Sequence, residues 1–359
     1  MPERTHMNGK PVLFRPAKTV LNMDSKFREK LLCDGPTFSL GDACAYSCSF
    51  CYVPDMMRKA AYVPKDQPHE SVVIRRQDAL DILRSQLTFR RKHGIEPKYD
   101  NENDNRVVYS SPLVDCAANM DLVKETVLAC CNILEVTHWH IRLLSKSNLL
   151  PKVAQHLMDR AADGKHGTEP FTQAEVQKRL IFGVSTGTLD DAQAAAFEQG
   201  CPKVSKRLES LHWLQDHGYR TFGMVCPSLP QRDYPQWAHD MAHAIRAEKC
   251  EHVWAEVINV RGESMTRTVK ALHDAGYEWQ AWELDRMSKS HGLWESHARA
   301  TFQAHATALA QGAGVSQPPS GADLAPKLRF LQYVTPATRD WWQEHTAEGA
   351  VLLGAAAHS

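Results

Sequence analysis

Residues 41–54 read GDACAYSCSFCYVP and set Cys44, Cys48 and Cys51 in a C-x3-C-x2-C arrangement. The chain holds 10 cysteines in 359 residues. Random placement would give such a triple in roughly one chain of 100 by spacing arithmetic, so the spacing is a signal. The remaining cysteines, at positions 33, 116, 130, 131, 201, 226 and 250, are scattered. The stretch MPERTHMNGKPVLFRP lacks the charged-then-apolar pattern of a secretion signal. No apolar run approaches the ~18 residues that a membrane helix needs. The expected compartment is the reducing cytoplasm, where clustered cysteines serve metal or redox chemistry more often than disulfides.

Outward from this loop, short apolar runs alternate with amphipathic stretches, as in βαβ units around a parallel sheet. Strands are expected at 37–41, 106–110, 138–144, 180–185, 221–226 and 252–258, and helices at 75–92, 121–134, 149–162, 205–216, 234–247 and 266–275. Six such units fit an open doubly wound sheet or a partly closed barrel, and both place chemistry at the C-terminal ends of the strands. The expected organisation is an N-terminal extension at 1–35, an α/β core at 36–262 and a small helical C-terminal appendix at 263–359, the last interrupted by the exposed Gly/Pro/Ser loop 311–323.

Composition is that of an ordinary globular protein, with 43% hydrophobic and 23% charged residues. Forty-two basic residues cancel 42 acidic ones, so no global positive field draws the chain to nucleic acid or an anionic membrane. Any such contact must be a local patch.

Three thiolates on one short loop can each hold one iron of a [4Fe–4S] cube and leave the fourth iron open to an outside molecule. Structural zinc wants four closed ligands, and no nearby pair of the usual spacing supplies them. Zinc, or three unrelated thiols, remain the alternatives. The loop resembles the signature of the radical S-adenosylmethionine (SAM) superfamily, with Phe50 before the last cysteine and Tyr52 after it. A narrower resemblance covers residues 180–230: Ser185, Glu198, Gly200, Pro202, Arg207, Leu208, Glu209 and Pro227 stand where the spore photoproduct lyase and DNA-repair-photolyase-like branch has its strand end, Glu-x-Gly-x-Pro turn, Arg-Leu-Glu helix and Pro loop. These resemblances imply a partial (β/α)6 TIM-type barrel, a [4Fe–4S] cluster on Cys44, Cys48 and Cys51, and SAM on the open iron. They further imply cleavage of SAM to a 5′-deoxyadenosyl radical, hydrogen abstraction from the substrate, and an electron donor such as flavodoxin or ferredoxin.

The same resemblances suggest roles for single residues. Lys146 ends a strand where it can pair with the SAM carboxylate or a substrate anion, or simply be solvated. Ser185 can bond a ribose or carboxylate, or serve a turn. Ser110 and Ser111 stand where the superfamily often has a Gly-Gly-Glu motif for the SAM amino group; that motif is missing here. Cys116, in SSPLVDCAANMD, matches a loop cysteine that returns a hydrogen atom to the product radical, with burial in the core as the alternative. Asn259, with Glu256 and Arg261, suits substrate or adenine contact or helix capping. Cys33, Cys130, Cys131, Cys201, Cys226 and Cys250 read as packing residues. The tryptophans at 279, 282, 294, 341 and 342 read as core rather than base-stacking platforms. The basic runs MMRK and FRRKH read as solvated helix faces, and HWH at 138–140 as a strand without a carboxylate partner. The implied substrate is a nucleic-acid lesion such as a thymine dimer. A nucleoside or small metabolite competes with it, and so does a non-catalytic iron–sulfur or zinc protein.

Overall fold

The computed structural model describes residues 6–59, 71–110, 113–163, 171–259, 263–315 and 322–353. The protein is an α/β structure whose principal strands are parallel and read as apolar runs, because helices cover both faces of such strands. The chain divides into two compact units.

The first unit contains 1–47, 53–182 and 216–220. Its sheet carries β1 (Thr37–Phe38), β2 (Val107–Ser110) and β3 (His140–Ser145) in adjacent positions, β2 running parallel to both neighbours. The pair Leu21–Asn22 lies antiparallel on β1. Helix Met120–Leu134 connects β2 to β3 and buries Leu122, Val123, Val127 and Ile133. Its N-cap is Asn119, whose Oδ1 accepts from the amides of Asp121 and Leu122 at 3.0 Å, satisfying two of the orphan donors of a helix start. Helices Leu150–Asp163 and Gln173–Arg179 lead on to β4 (Leu180–Ser185), buried at all six positions.

Two expectations in this unit change. The strand expected at 37–41 is split: Thr37–Phe38 joins the main sheet, whereas Gly41–Ala43 enters a second sheet with Val73–Arg76, Lys10–Arg15 and His6–Met7. The N-terminal residues thus build a sheet of their own with the start of the cysteine loop. The helix expected at 75–92 is shorter, Ala79–Leu87. It is preceded by the strand Val73–Arg76 and followed by the hairpin Thr88–Arg91/Gly94–Pro97, which carries FRRKH. The β-branched run VVI favours the extended backbone, and Asp78 at φ 52° breaks the chain before the helix.

The second unit contains 48–52, 183–215 and 221–359. Just past the end of β4 the chain hydrogen-bonds to β5 (Arg220–Ser228): Thr186 N donates to Met224 O at 3.0 Å. Parallel to β5 follow β6 (Cys250–Val257), β7 (Leu328–Tyr333) and β8 (Ala350–Leu353). The C-terminal part, expected to be helical, therefore contributes two parallel strands as well as helices Ser264–Asp274, Glu278–Lys289, His291–Ala310 and Arg339–Glu344. Gly183 is glycine because a Cβ there would lie 2.2 Å from the Phe222 ring, which packs edge-on against Trp254. Trp294 and Trp342 are core residues as expected, whereas Trp282 is exposed with Arg286 over its ring. Residues 316–321 of the Gly/Pro/Ser loop lie outside the described residues.

Candidate cysteine-loop site

The loop begins on Gly41, where a Cβ would meet the Ile74 carbonyl at 2.5 Å, so only glycine permits this close strand pairing. Asp42, buried, accepts from Arg15 Nε and Nη2 at 2.9 and 2.6 Å and from Arg76 Nε and Nη2 at 3.1 and 2.6 Å. Burial works to raise its pKa, but the bonds and charges of Arg76 and Arg15 outweigh it and hold the carboxyl below the usual range. Arg15, Lys18 and Arg76 line a cleft of about 390 Å³ with Pro16, Ala17 and Thr19. Three cations against one carboxylate make it the local basic patch that the neutral total conceals.

Cys44 follows in the same unit. Its Sγ accepts from the amides of Tyr46 and Asp115, both at 3.4 Å. The Arg75 guanidinium is buried beside it, ion-paired with Glu125, and its Nε has no hydrogen-bond partner among the described residues. Burial pulls the Arg75 pKa down to about 10, against the opposing attraction of Cys44 and Asp42. Two amide donors and a buried cation thus surround this one sulfur. Lys10 anchors the next turn, donating to Tyr46 O at 3.0 Å and Ser47 Oγ at 2.6 Å.

Asp115, whose amide reaches Cys44, also organises the exit of β3. Its carboxylate accepts from Ser145 Oγ at 2.7 Å, Lys146 N at 2.8 Å and Ala117 N at 2.9 Å. Desolvation exceeds the effect of these donors and raises its pKa. Cys116, buried, directs Sγ to Leu144 O at 3.5 Å, and burial pushes its thiol well above the ordinary value. Lys146 is half-buried and Ser110 fully buried, the latter in register with Phe38 of β1. Ser111 lies outside the described residues.

In the second unit, Cys48–Tyr52 is fastened by both main-chain and side-chain contacts. Ser49 N donates to Phe197 O at 2.9 Å, Ser49 Oγ lies 3.0 Å from Thr268 Oγ1, and Phe50 packs on Phe197. Arg267 donates from Nε to Ser49 O at 3.1 Å and from Nη2 to Cys51 O at 2.7 Å. Cys51 N closes the turn on Cys48 O at 3.1 Å. Cys48 Sγ stands 3.6 Å from Cys201 Sγ. Ser185 Oγ donates to Cys226 O at 3.0 Å, Cys226 Sγ lies 4.0 Å from Glu256, and Asn259 O accepts from Ser264 Oγ at 3.1 Å. Arg261 lies outside the described residues. In the first unit His138 does have a carboxylate neighbour, Asp100 at 3.4 Å.

The donor chemistry fits an iron–sulfur cluster in kind. None of the three motif cysteines is in a disulfide, each is half-buried, and Cys44 already sits among the amide and guanidinium donors that such sulfurs accept. Among the described residues no three His, Cys, Asp or Glu side chains are grouped as around one metal ion. Sequence reasoning missed Asp115, Arg75, Arg267 and Thr268. Only Asp115 had a local cue, an acidic residue directly before the loop cysteine at a strand exit.

No family model matches the chain, and no curated protein matches it. Among solved structures it is similar to spore photoproduct lyase. One mutant of that enzyme aligns with 13% identity and a TM-score of 0.49, over 72% of this chain and 66% of that one. Spore photoproduct lyase complexed with dinucleoside spore photoproduct aligns with 14% identity and a TM-score of 0.48, over the same shares. The match spans just under two thirds of that enzyme's length.

Proposed function

We propose that the protein is a radical SAM enzyme on a partial (β/α)6 barrel, with Cys44, Cys48 and Cys51 as ligands of a [4Fe–4S] cluster. The observation that carries this reading is the setting of Cys44: two amide donors on Sγ and a buried guanidinium with an unspent Nε beside it. A cluster with SAM supplies one-electron cleavage of a sulfonium bond and hydrogen-atom abstraction. Lys146, Ser110, Ser111, Ser185 and Asn259 are the proposed SAM contacts.

Cys116 is the proposed hydrogen donor. Burial keeps its sulfur protonated, and a donor of hydrogen atoms has to hold its hydrogen until the product radical forms. Asp115 positions it, tying the Cys116 loop to Ser145, Lys146 and Cys44 in one network.

The proposed substrate carries phosphate and belongs to the class of nucleic-acid lesions implied by the motif resemblance. The basic cleft of Arg15, Lys18 and Arg76 favours this over an uncharged metabolite. A cytoplasmic setting and a flavodoxin- or ferredoxin-like electron donor complete the reading. Among the described residues no helix is long and apolar enough to cross a membrane.

Anaerobic reconstitution with iron and sulfide tests it. The expected result is a reducible cluster, lost in Cys44→Ala, that cleaves SAM to 5′-deoxyadenosine. A colourless protein that binds zinc instead would overturn the reading.

A further inference from the structure

Cys201 is a thiol that the proposed function leaves without a role. It lies in the turn E-Q-G-C-P, 153 residues from Cys48, yet the two sulfurs stand 3.6 Å apart. The turn is held from several directions. Gly200 takes φ +82°, a conformation open to glycine at little cost, and Cys201 N donates to Glu198 O at 3.0 Å. Arg207, buried and paired with the buried Glu198 at 2.5 Å, donates from Nε to Pro202 O at 2.8 Å. On the other side Cys48–Cys51 is pinned by Ser49 and Arg267. Two anchored segments therefore deliver two free, half-buried thiols into contact, short of the ~2.0 Å of an S–S bond.

We propose that Cys48 and Cys201 are a reversible redox pair: in the metal-free chain they form a disulfide with a glutathione-class disulfide as co-reactant, and this withholds Cys48 from the cluster until it is reduced. The sulfur of one cysteine attacks the small disulfide, giving a mixed disulfide and one small thiol. The second cysteine then displaces the other small thiol and closes the Cys48–Cys201 bond. Two protein thiols are oxidised, one small disulfide is reduced to two thiols, and both protons pass to the leaving thiols. Accessible disulfides in a reducing compartment are the labile, regulatory kind. Oxidation would then store the ligand cysteine as a recoverable disulfide and protect it from the irreversible sulfinic and sulfonic states.

The disulfide itself follows from the geometry alone, whereas its effect on loading rests on the proposed ligand role of Cys48. Full-length metal-free protein, reduced and freed of reductant, is exposed to oxidised glutathione, and its peptides are mapped by mass spectrometry without reduction. A 48–201 linkage is expected. Cross-links within the motif, or glutathione left on Cys48 as a mixed disulfide, would overturn the proposal. Iron uptake, read by absorbance and iron content, should be lost in the oxidised wild type and return on reduction. Cys201→Ser should take up iron after oxidant treatment once any small thiol adduct is removed by a mild monothiol. If the reduced wild type takes up no iron while the linkage forms, the cluster reading fails and the disulfide stands. If the oxidised, cross-linked protein loads as well as the reduced one, the withholding role is refuted.

Discussion

Removing one partner of the buried pair Glu198–Arg207 should be among the most costly single changes in the second unit. Both side chains are 1% exposed and their charged atoms are 2.5 Å apart. Burial alone would lower the Arg207 pKa, yet the opposing interactions, the charge of Glu198 foremost among them, together raise it. Glu198→Ala leaves a buried guanidinium whose remaining partners are the carbonyls of Pro202 and Ser185. Breaking a buried pair this way costs about 3–5 kcal/mol, which at about 2 °C per kcal/mol for a large domain lowers the midpoint by roughly 6–10 °C. The double variant Glu198→Leu/Arg207→Met removes both charges at similar volume and should recover more than half of that loss, the two orphaned carbonyls accounting for the rest. Thermal unfolding of the singles and the double, combined as a cycle, measures this. Singles that lose less than about 1 kcal/mol, or a double equal to the sum of the singles, would refute the account, because an exposed or weakly coupled pair behaves that way.

Three further outcomes are expected. His297 and His305 are buried and pushed down to about 4, so the stability they contribute is complete above about pH 6.5 and drains as pH falls toward 4. Each should cost about 2 kcal/mol between pH 7 and 5, and a urea midpoint that does not move across that window would count against their neutral burial. Cys116→Ala should leave SAM cleavage intact and alter the product outcome; unchanged products would remove Cys116 from the mechanism. Lys18→Gln should flatten the salt dependence of single-stranded oligothymidine binding by about one unit of slope. An unchanged slope would take the basic cleft out of substrate binding.

How much was legible in the chain follows from how far apart the interacting parts lie. The cysteine triple is local, so its spacing exposes the donor set directly, and five of the six expected strands are where their apolar runs place them. The exceptions share a cause. At 37–41 and 73–76 the backbone switches to a second sheet, and the residues that decide this, Gly41 beneath Ile74 and Asp78 at φ 52°, act through pairings that periodicity does not encode. The surroundings of the cysteines are still less visible. The amide on Cys44 comes from Asp115, 71 positions on; the guanidinium over Ser49 and Cys51 comes from Arg267, more than 200 positions on. Neither is marked by residue type, because the Asp115 amide could belong to any residue but proline, and an arginine that binds carbonyls looks in sequence like one facing water. The motif thus names the sulfurs, and the fold decides what each sulfur faces. For Cys44 that is a pair of backbone amides beside a buried guanidinium, and for Cys48 it is a second thiol. This difference is why the same loop supports both a cluster-binding reading and a redox pair that competes with it.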